Sequence, residues 1–259
     1  MSFRVVIPAR YASTRLPGKP LRTIAGRPMI EHVWRRACES GAAAVVVATD
    51  DERIAAACAA FGADVAITRA DHASGTDRLA EVARVRGWAA RDAIVNVQGD
   101  EPLLPPANVA QAAALLDAHP DADVATLGTP IASLREFLDP NIVKIALALD
   151  GRALYFSRAP IPWPRDSAPS GLASQTQFGA ALRHLGLYAY RCAALLRMAS
   201  LPPSPLETAE KLEQLRALEN GMIVRVAVAA EVPGPGVDTE ADLAAAEAAF
   251  RAAARSGRR

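Results

Sequence analysis

Short apolar runs separated by stretches of helical periodicity organise the first half of the chain. Val5–Ile7, Ala44–Thr49, Val65–Thr68, Ala93–Gln98 and Val124–Leu127 are brief and largely apolar, as expected of strands buried on both faces of a sheet. Between them, Met29–Ser40, Glu52–Phe61, Thr76–Arg86 and Ala107–Ala118 read as helices, with Gly41 and Gly62 as stops. This alternation predicts a doubly wound α/β fold built on a parallel sheet. In such sheets ligands gather beyond the C-terminal strand ends, which points to the loops starting near Arg10, Asp50, Arg69 and Gly99.

The pattern changes after about Pro130. Ile142–Leu149 and Ala153–Ser157 are apolar runs joined by Asp150-Gly151, an antiparallel hairpin signal. Pro160, Pro162, Pro164 and Pro169 break regular structure, and Asp166–Gln177, rich in Ser, Gly, Ala and Gln, reads as a mobile loop. Helices are expected at Ala193–Ala199 and Glu207–Asn220, a late strand at Val224–Ala229 and a final helix at Thr239–Ala254. The whole predicts one domain, 1–259, with an insertion at about 131–190.

Composition narrows the function classes. With 259 residues and a formal net charge of +1, the chain has no global field for nucleic acid or a membrane surface; cations for an anionic ligand must be concentrated locally. No run approaches the ~18 apolar residues of a membrane span. Cys38, Cys58 and Cys192 lack metal-ligand spacing and read as buried free thiols of a reducing compartment. The chain opens on a strand-like run, Arg4–Pro8, without a charged leader and long apolar stretch. The expected compartment is the cytoplasm.

Local cations appear in Pro8-Ala9-Arg10-Tyr11-Ala12-Ser13-Thr14-Arg15-Leu16-Pro17-Gly18-Lys19-Pro20, directly after the first strand. Arg10, Arg15 and Lys19 suit a triphosphate, and Gly18 permits close backbone approach; the alternative is a solvated basic loop. The segment is neither a Walker loop nor G-x-G-x-x-G. In Val97-Gln98-Gly99-Asp100-Glu101-Pro102, Asp100 is placed to hold Mg²⁺ or to cap a turn. In Pro235-Gly236-Val237-Asp238-Thr239, Asp238 is a second metal ligand or a helix cap, and Thr239 with Asp242 resembles a capping box. Arg69–Arg78 opens a helix whose N-terminus offers amide donors, with Ser74 and Gly75 suited to close contact; Thr76 or Asp77 is the candidate cap. Arg183–Tyr188 and the helix bearing Glu213 and Gln214 carry polar groups suited to a polyol or to structural roles. The four histidines show no zinc-binding spacing.

Together the phrases IPARYASTRLPGKPL, TRADHASGTDRLAEV, VNVQGDEPL, DPNIVK, ALYFSRAPIPW, RHLGLYAYR, SPLETAEKLEQLRALENG and VPGPGVDTEADL resemble the 3-deoxy-manno-octulosonate (Kdo) cytidylyltransferases over nearly the whole chain. The resemblance implies a Rossmann-like three-layer α/β/α sandwich of the nucleotide-diphospho-sugar transferase type, with the insertion and its hairpin forming a homodimer interface. It implies that Arg10, Ser13, Arg15 and Lys19 hold the CTP phosphates and ribose, and that Ser74 and Gly75 help recognise cytosine. Asp100 and Asp238 would bind Mg²⁺. Gln98, shared with the nucleotide, would line the Kdo pocket with Arg78, His184, Tyr188, Glu213 and Gln214, and Arg158 and Arg165 are candidates for the sugar carboxylate. Lys19, Arg15 and Asp100 would carry the catalysis. The chain departs from the family's GVDTPEDL at Glu240-Ala241 and from its IYGY at Leu187–Tyr190, keeping the acid and the tyrosine. The implied reaction joins CMP from CTP to Kdo for lipopolysaccharide synthesis. Related CMP-sugar synthetases, using an 8-amino-Kdo or sialic acid, and a non-catalytic nucleotide-binding homologue are the rivals.

Overall fold

The structure, a computed structural model, describes residues 2–12, 15–167 and 170–256. Strand β1 (Phe3–Ala9) leads through a basic loop and a 3-10 turn (Lys19–Leu21) to a small hairpin, β2 (Thr23–Ile24) and β3 (Arg27–Pro28). Then follow α1 (Met29–Glu39), β4 (Ala44–Thr49), α2 (Glu52–Ala60), β5 (Asp64–Ile67), α3 (Gly75–Val85), β6 (Ala93–Asn96), α4 (Pro106–Ala118) and β7 (Val124–Pro130). The second half holds α5 (Leu134–Leu138), β8 (Lys144–Leu147), β9 (Ala153–Ser157), β10 (Leu182–Arg191), α6 (Cys192–Ser200), α7 (Pro205–Glu210), α8 (Gln214–Glu219), β11 (Val224–Val228) and α9 (Glu240–Ser256).

The main sheet runs β11-β7-β10-β6-β1-β4-β5. Period-two alternation divides its core: Val5 and Ile7 point into the layer containing α1, α2 and α4, while Val6 points toward α3, α6 and α8. Full burial of each such side chain contributes about 1.5–3 kcal/mol. The result is the expected three-layer α/β/α sandwich.

The expectation of a parallel sheet holds for β1 with β4 and β6, β4 with β5, and β11 with β7, but β10 runs antiparallel between β6 and β7. That strand lies inside the segment 131–190, so the segment supplies a central strand of the sheet as well as the β8–β9 hairpin. The hairpin forms around Asp150-Gly151 as expected, in register Ile145↔Phe156. A register shift between Leu185 and Tyr188 hides β10 in the sequence, because it breaks the two-residue period.

One further expectation is corrected. The helix predicted over Glu207–Asn220 is broken: Lys211 adopts φ 54°, and α7 folds back on α8. Ser204 and Glu207 form a capping box at the start of α7, and Glu207 also pairs with buried Arg216 of α8. The break directs Glu213 and Gln214 toward α3 and β10, as their contacts show. In the segment expected to be mobile, Gln175 is buried and its side-chain oxygen accepts from Ser167 Oγ and from the amides of Thr176 and Gln177; Pro169 lies outside the described residues.

Candidate active site

At the C-terminal ends of β1 and β6 lies a cleft of about 390 Å³, lined by Arg10, Arg15, Lys19, Gly75, Gln98, Asp100 and Asp238 among others. Its floor depends on close backbone approach. A Cβ on Gly99 would lie 2.8 Å from Pro8 O, and one on Gly236 would lie 2.8 Å from Glu101 Oε1. The Val237 amide donates to Asp100 O at 2.9 Å. This clasp joins the loop after β6 to the loop before α9 and sets two carboxylates side by side.

Those carboxylates meet at Lys19. Its Nζ donates to Asp100 Oδ2 at 2.7 Å and to Asp238 Oδ1 at 2.9 Å, and Arg15 Nη2 lies 3.0 Å from the same Asp238 oxygen. The capping alternative for Asp238 is decided here: Thr239 Oγ1 accepts from the Asp242 amide and Asp242 Oδ2 from the Thr239 amide. Thr239 and Asp242 therefore make the box, and the Asp238 carboxylate faces the cleft. Helix α4 starts at Pro106, so Asp100 is not its cap either. Burial pulls the Lys19 ammonium down, but Asp100 and Asp238 outweigh it and the net shift is upward. Glu101, which sequence reasoning did not single out, is pushed up to about 7 by burial and by neighbouring Asp100 and Asp238, against Arg183 and Lys19.

Arg10 reaches across to the loop before α3, donating through Nη2 to His72 O at 2.5 Å and Ser74 O at 3.3 Å. Ser74 caps α3, in a box with Asp77. The cap is thus Ser74, not the expected Thr76 or Asp77. Gly75, the first residue of α3, lines the cleft. Ser13 lies outside the described residues.

A second polar group adjoins this one. Ser74 Oγ donates to Glu213 Oε1 at 3.1 Å, and Tyr188 Oη donates to Gln214 Oε1 at 3.1 Å. Burial raises the Glu213 carboxyl, partly offset by hydrogen bonds from Thr76 and Ser74. His184 packs against Phe156 and Tyr188, and its Nε2 lies 3.0 Å from Thr126 Oγ1. Assigning the Thr126 proton to Leu187 O, its shortest contact at 2.7 Å, makes the imidazole Nε2–H the donor to Thr126. Glu213, Gln214, Tyr188 and His184 thus form one chain of contacts tied through Ser74 to the cleft.

The remaining candidates lie elsewhere. Arg78 is fully buried, hydrogen-bonded to Thr68 and 3.3 Å from Asp50. Burial lowers its pKa, with Asp50 opposing. Arg158 is anchored by its Nε to Glu210 O at 2.7 Å and by Nη1 to Pro140 O at 3.0 Å. Arg165 sits in an exposed 3-10 turn. None of these three lines the cleft.

Burial lowers the His184 imidazole from 6.5 to about 3. Below pH 6.5 the unfolded chain takes up a proton that the folded chain declines until about pH 3, so stability falls as pH drops through that window. The slope is up to about 1.4 kcal/mol per pH unit. Urea unfolding at pH 7, 5.5 and 4.5 is expected to show a smaller acid loss for His184→Gln than for wild type; equal losses would contradict a buried neutral imidazole.

Comparison with known proteins places the chain in a family. A family model described as cytidylyltransferase matches residues 4–225. The 3-deoxy-manno-octulosonate cytidylyltransferase of Cellvibrio japonicus (strain Ueda107) is 59% identical over 246 residues, covering 94% of this chain and 96% of that protein. The protein of the same name from Pseudomonas syringae pv. syringae (strain B728a) is 55% identical over 245 residues, covering 93% of this chain and 95% of its own. A solved structure of CMP:2-keto-3-deoxy-manno-octonic acid synthetase complexed with CTP superposes with a TM-score of 0.87 at 44% identity, covering 97% of this chain and 99% of that one. With its cationic loop, paired carboxylates and α/β/α sandwich, this chain belongs to the 3-deoxy-manno-octulosonate cytidylyltransferase family.

Proposed function

We propose that the chain transfers CMP from CTP to 3-deoxy-D-manno-octulosonate, releasing pyrophosphate, and that the product serves lipopolysaccharide synthesis. The observation that carries this reading is the meeting of Asp100 and Asp238 at Lys19, within the cleft that also holds Arg10 and Arg15. The activity for which its relatives are named and the CTP in the related structure support it.

The donor set suits Mg²⁺. Two carboxylate oxygens already converge on one cation, the Lys19 ammonium, from 2.7 and 2.9 Å. Mg²⁺ prefers one or two carboxylates completed by phosphate oxygens and water. Bound to Asp100 and Asp238, Mg²⁺ would polarise the α-phosphate and favour ionisation of a coordinated hydroxyl.

The chain's own residues then supply positioning and charge. Arg15 and Lys19 offset charge on the triphosphate and on the departing pyrophosphate. The α3 N-terminus offers the Gly75 amide to the base, the Ser74 amide being taken by Asp77, and Gln98 stands between nucleotide and sugar. Glu213, Gln214, Tyr188 and His184 supply hydrogen bonds to the sugar hydroxyls. The anomeric C2 oxygen bonds to the α-phosphorus as the bond to the pyrophosphate oxygen breaks, and the hydroxyl proton is released. Arg78, bound to Thr68 and Asp50, Arg158, bound to the carbonyls of Glu210 and Pro140, and exposed Arg165 complete the assignment to the sugar.

The β8–β9 hairpin leaves Leu149 and Leu154 exposed, which supports a homodimer through the insertion. Among the described residues no helix is long and apolar enough to cross a membrane. The three cysteines are free, and they suit a reducing cytoplasm; Cys58 and Cys192 are buried as expected, whereas Cys38, on the outer face of α1, is exposed. Pyrophosphate release measured across nucleotides and sugars tests the assignment. CTP with Kdo should give the highest kcat/KM and lose turnover in EDTA. A higher value with another nucleotide, 8-amino-Kdo or sialic acid would redirect it.

A further inference from the structure

The cationic loop is closed at its neck by groups outside the cleft. Tyr11 starts the loop and Gly18 ends it; the Gly18 amide donates to Tyr11 O at 3.3 Å. Their contact extends to the ring. Gly18 has φ +65°, and a Cβ there would come within 3.2 Å of Tyr11 Cζ and Oη, so only a glycine lets the chain close over the phenol without displacing it. The ring is half-buried and packs on the core layer that includes β1, α1 and α2.

A cation completes the arrangement. Arg53 Cζ lies 3.3 Å from the Tyr11 ring centroid, close enough for a cation–π contact. Arg53 is itself held by Asp51, through Nε to Oδ1 at 3.0 Å and Nη2 to Oδ2 at 2.6 Å. Asp51 is fixed because it caps α2, accepting from the amides of Arg53 and Ile54. A chain of contacts therefore runs from the N-terminus of α2 through Asp51, Arg53 and Tyr11 to Gly18. Inside the loop Leu16 is fully buried, between cleft-lining Arg15 and Lys19.

We propose that Tyr11 and Arg53 form a pin that holds the two ends of the basic loop, Tyr11 and Gly18, together, positioning Arg15 and Lys19 for the phosphates of a nucleoside triphosphate. Both are positioning residues, since neither lines the cleft. The pin stands on the contacts alone; its service to a nucleotide rests on the function proposed above.

Two readouts separate those claims. Because Leu16 is buried, trypsin can cut Arg15–Leu16 only when the loop opens, whatever the ligand. Full-length Arg53→Met, which leaves the loop sequence intact, is expected to be cut there about three to five times faster than wild type, and Tyr11→Ala at least as fast, by mass-spectrometric time course. Tyr11→Phe keeps the ring and should restore the wild-type rate. The KM for CTP should rise about three- to fivefold in Arg53→Met with kcat within about twofold, and adding Arg53→Met to Tyr11→Ala should change little more, because the ring it acts through is gone. Wild-type cleavage in both single variants, or effects that simply add, would overturn the pin. Faster cleavage with an unchanged KM for CTP would support the pin and overturn the nucleotide reading of the loop.

Discussion

Asp100→Asn should lower kcat by at least about a hundredfold while leaving the unfolding temperature close to wild type. Asn matches the shape of Asp, so the turn after β6 and the Val237 clasp to Asp100 O persist. The side chain is a third exposed, at 34%, and an ion pair so placed contributes no more than about 1 kcal/mol to stability. Lys19 also keeps its second partner, Asp238. What disappears is one of the two anionic oxygens that suit Mg²⁺. Titration of Mg²⁺ into the CTP-loaded protein should therefore show weaker binding in a variant whose fold is intact. Asp238→Asn should behave alike, and the double variant should be little worse than either single one, because the two acids act as a unit. Turnover within threefold of wild type in Asp100→Asn would remove the metal role on which the mechanism rests.

How far such a site can be read in advance depends on whether its geometry is local. Strands such as Ala44–Thr49 and helices such as Met29–Glu39 were legible because burial imposes a periodicity on neighbouring residues. Strand β10 was not, because its irregularity between Leu185 and Tyr188 breaks the two-residue period and the segment reads as scattered polar and apolar groups. The α7–α8 break was hidden for a related reason: Lys211 is an ordinary helix former, and its left-handed conformation reflects Glu207 closing on Arg216 from the next helix. At the site, the sequence presents Asp100 and Asp238 as acids after glycine-containing turns, each equally suited to capping. The choice is made by Thr239 and Asp242 satisfying one another and by one main-chain bond from Val237 to Asp100. Glu101 and Arg53 carried no signal, since their environments come from residues far along the chain. Family resemblance supplied the pairing of distant residues that periodicity cannot.

Lys19→Met should separate electrostatic filling from catalysis. Methionine keeps most of the side chain's length and apolar contact while removing the charge. Without divalent metal, Asp100 and Asp238 would then share a small space with exposed Arg15, on Asp238, as their remaining counter-ion, beside Glu101, whose carboxyl is already pushed up to about 7. The metal-free variant is expected to lose about 1–3 kcal/mol of stability. Mg²⁺ should raise its unfolding temperature more than that of wild type, because the ion no longer competes with an ammonium for the two oxygens. Catalysis should not follow: kcat/KM is expected to stay about 10² to 10³ below wild type at saturating Mg²⁺, since the charge that Lys19 would bring to the triphosphate is missing. The two responses oppose each other only if Lys19 both occupies the carboxylate pair at rest and serves the phosphates in turnover. Were Mg²⁺ to restore activity along with stability, Lys19 would be a resting counter-ion alone, and the charge offset on the departing pyrophosphate would have to come from Arg15 and Arg10.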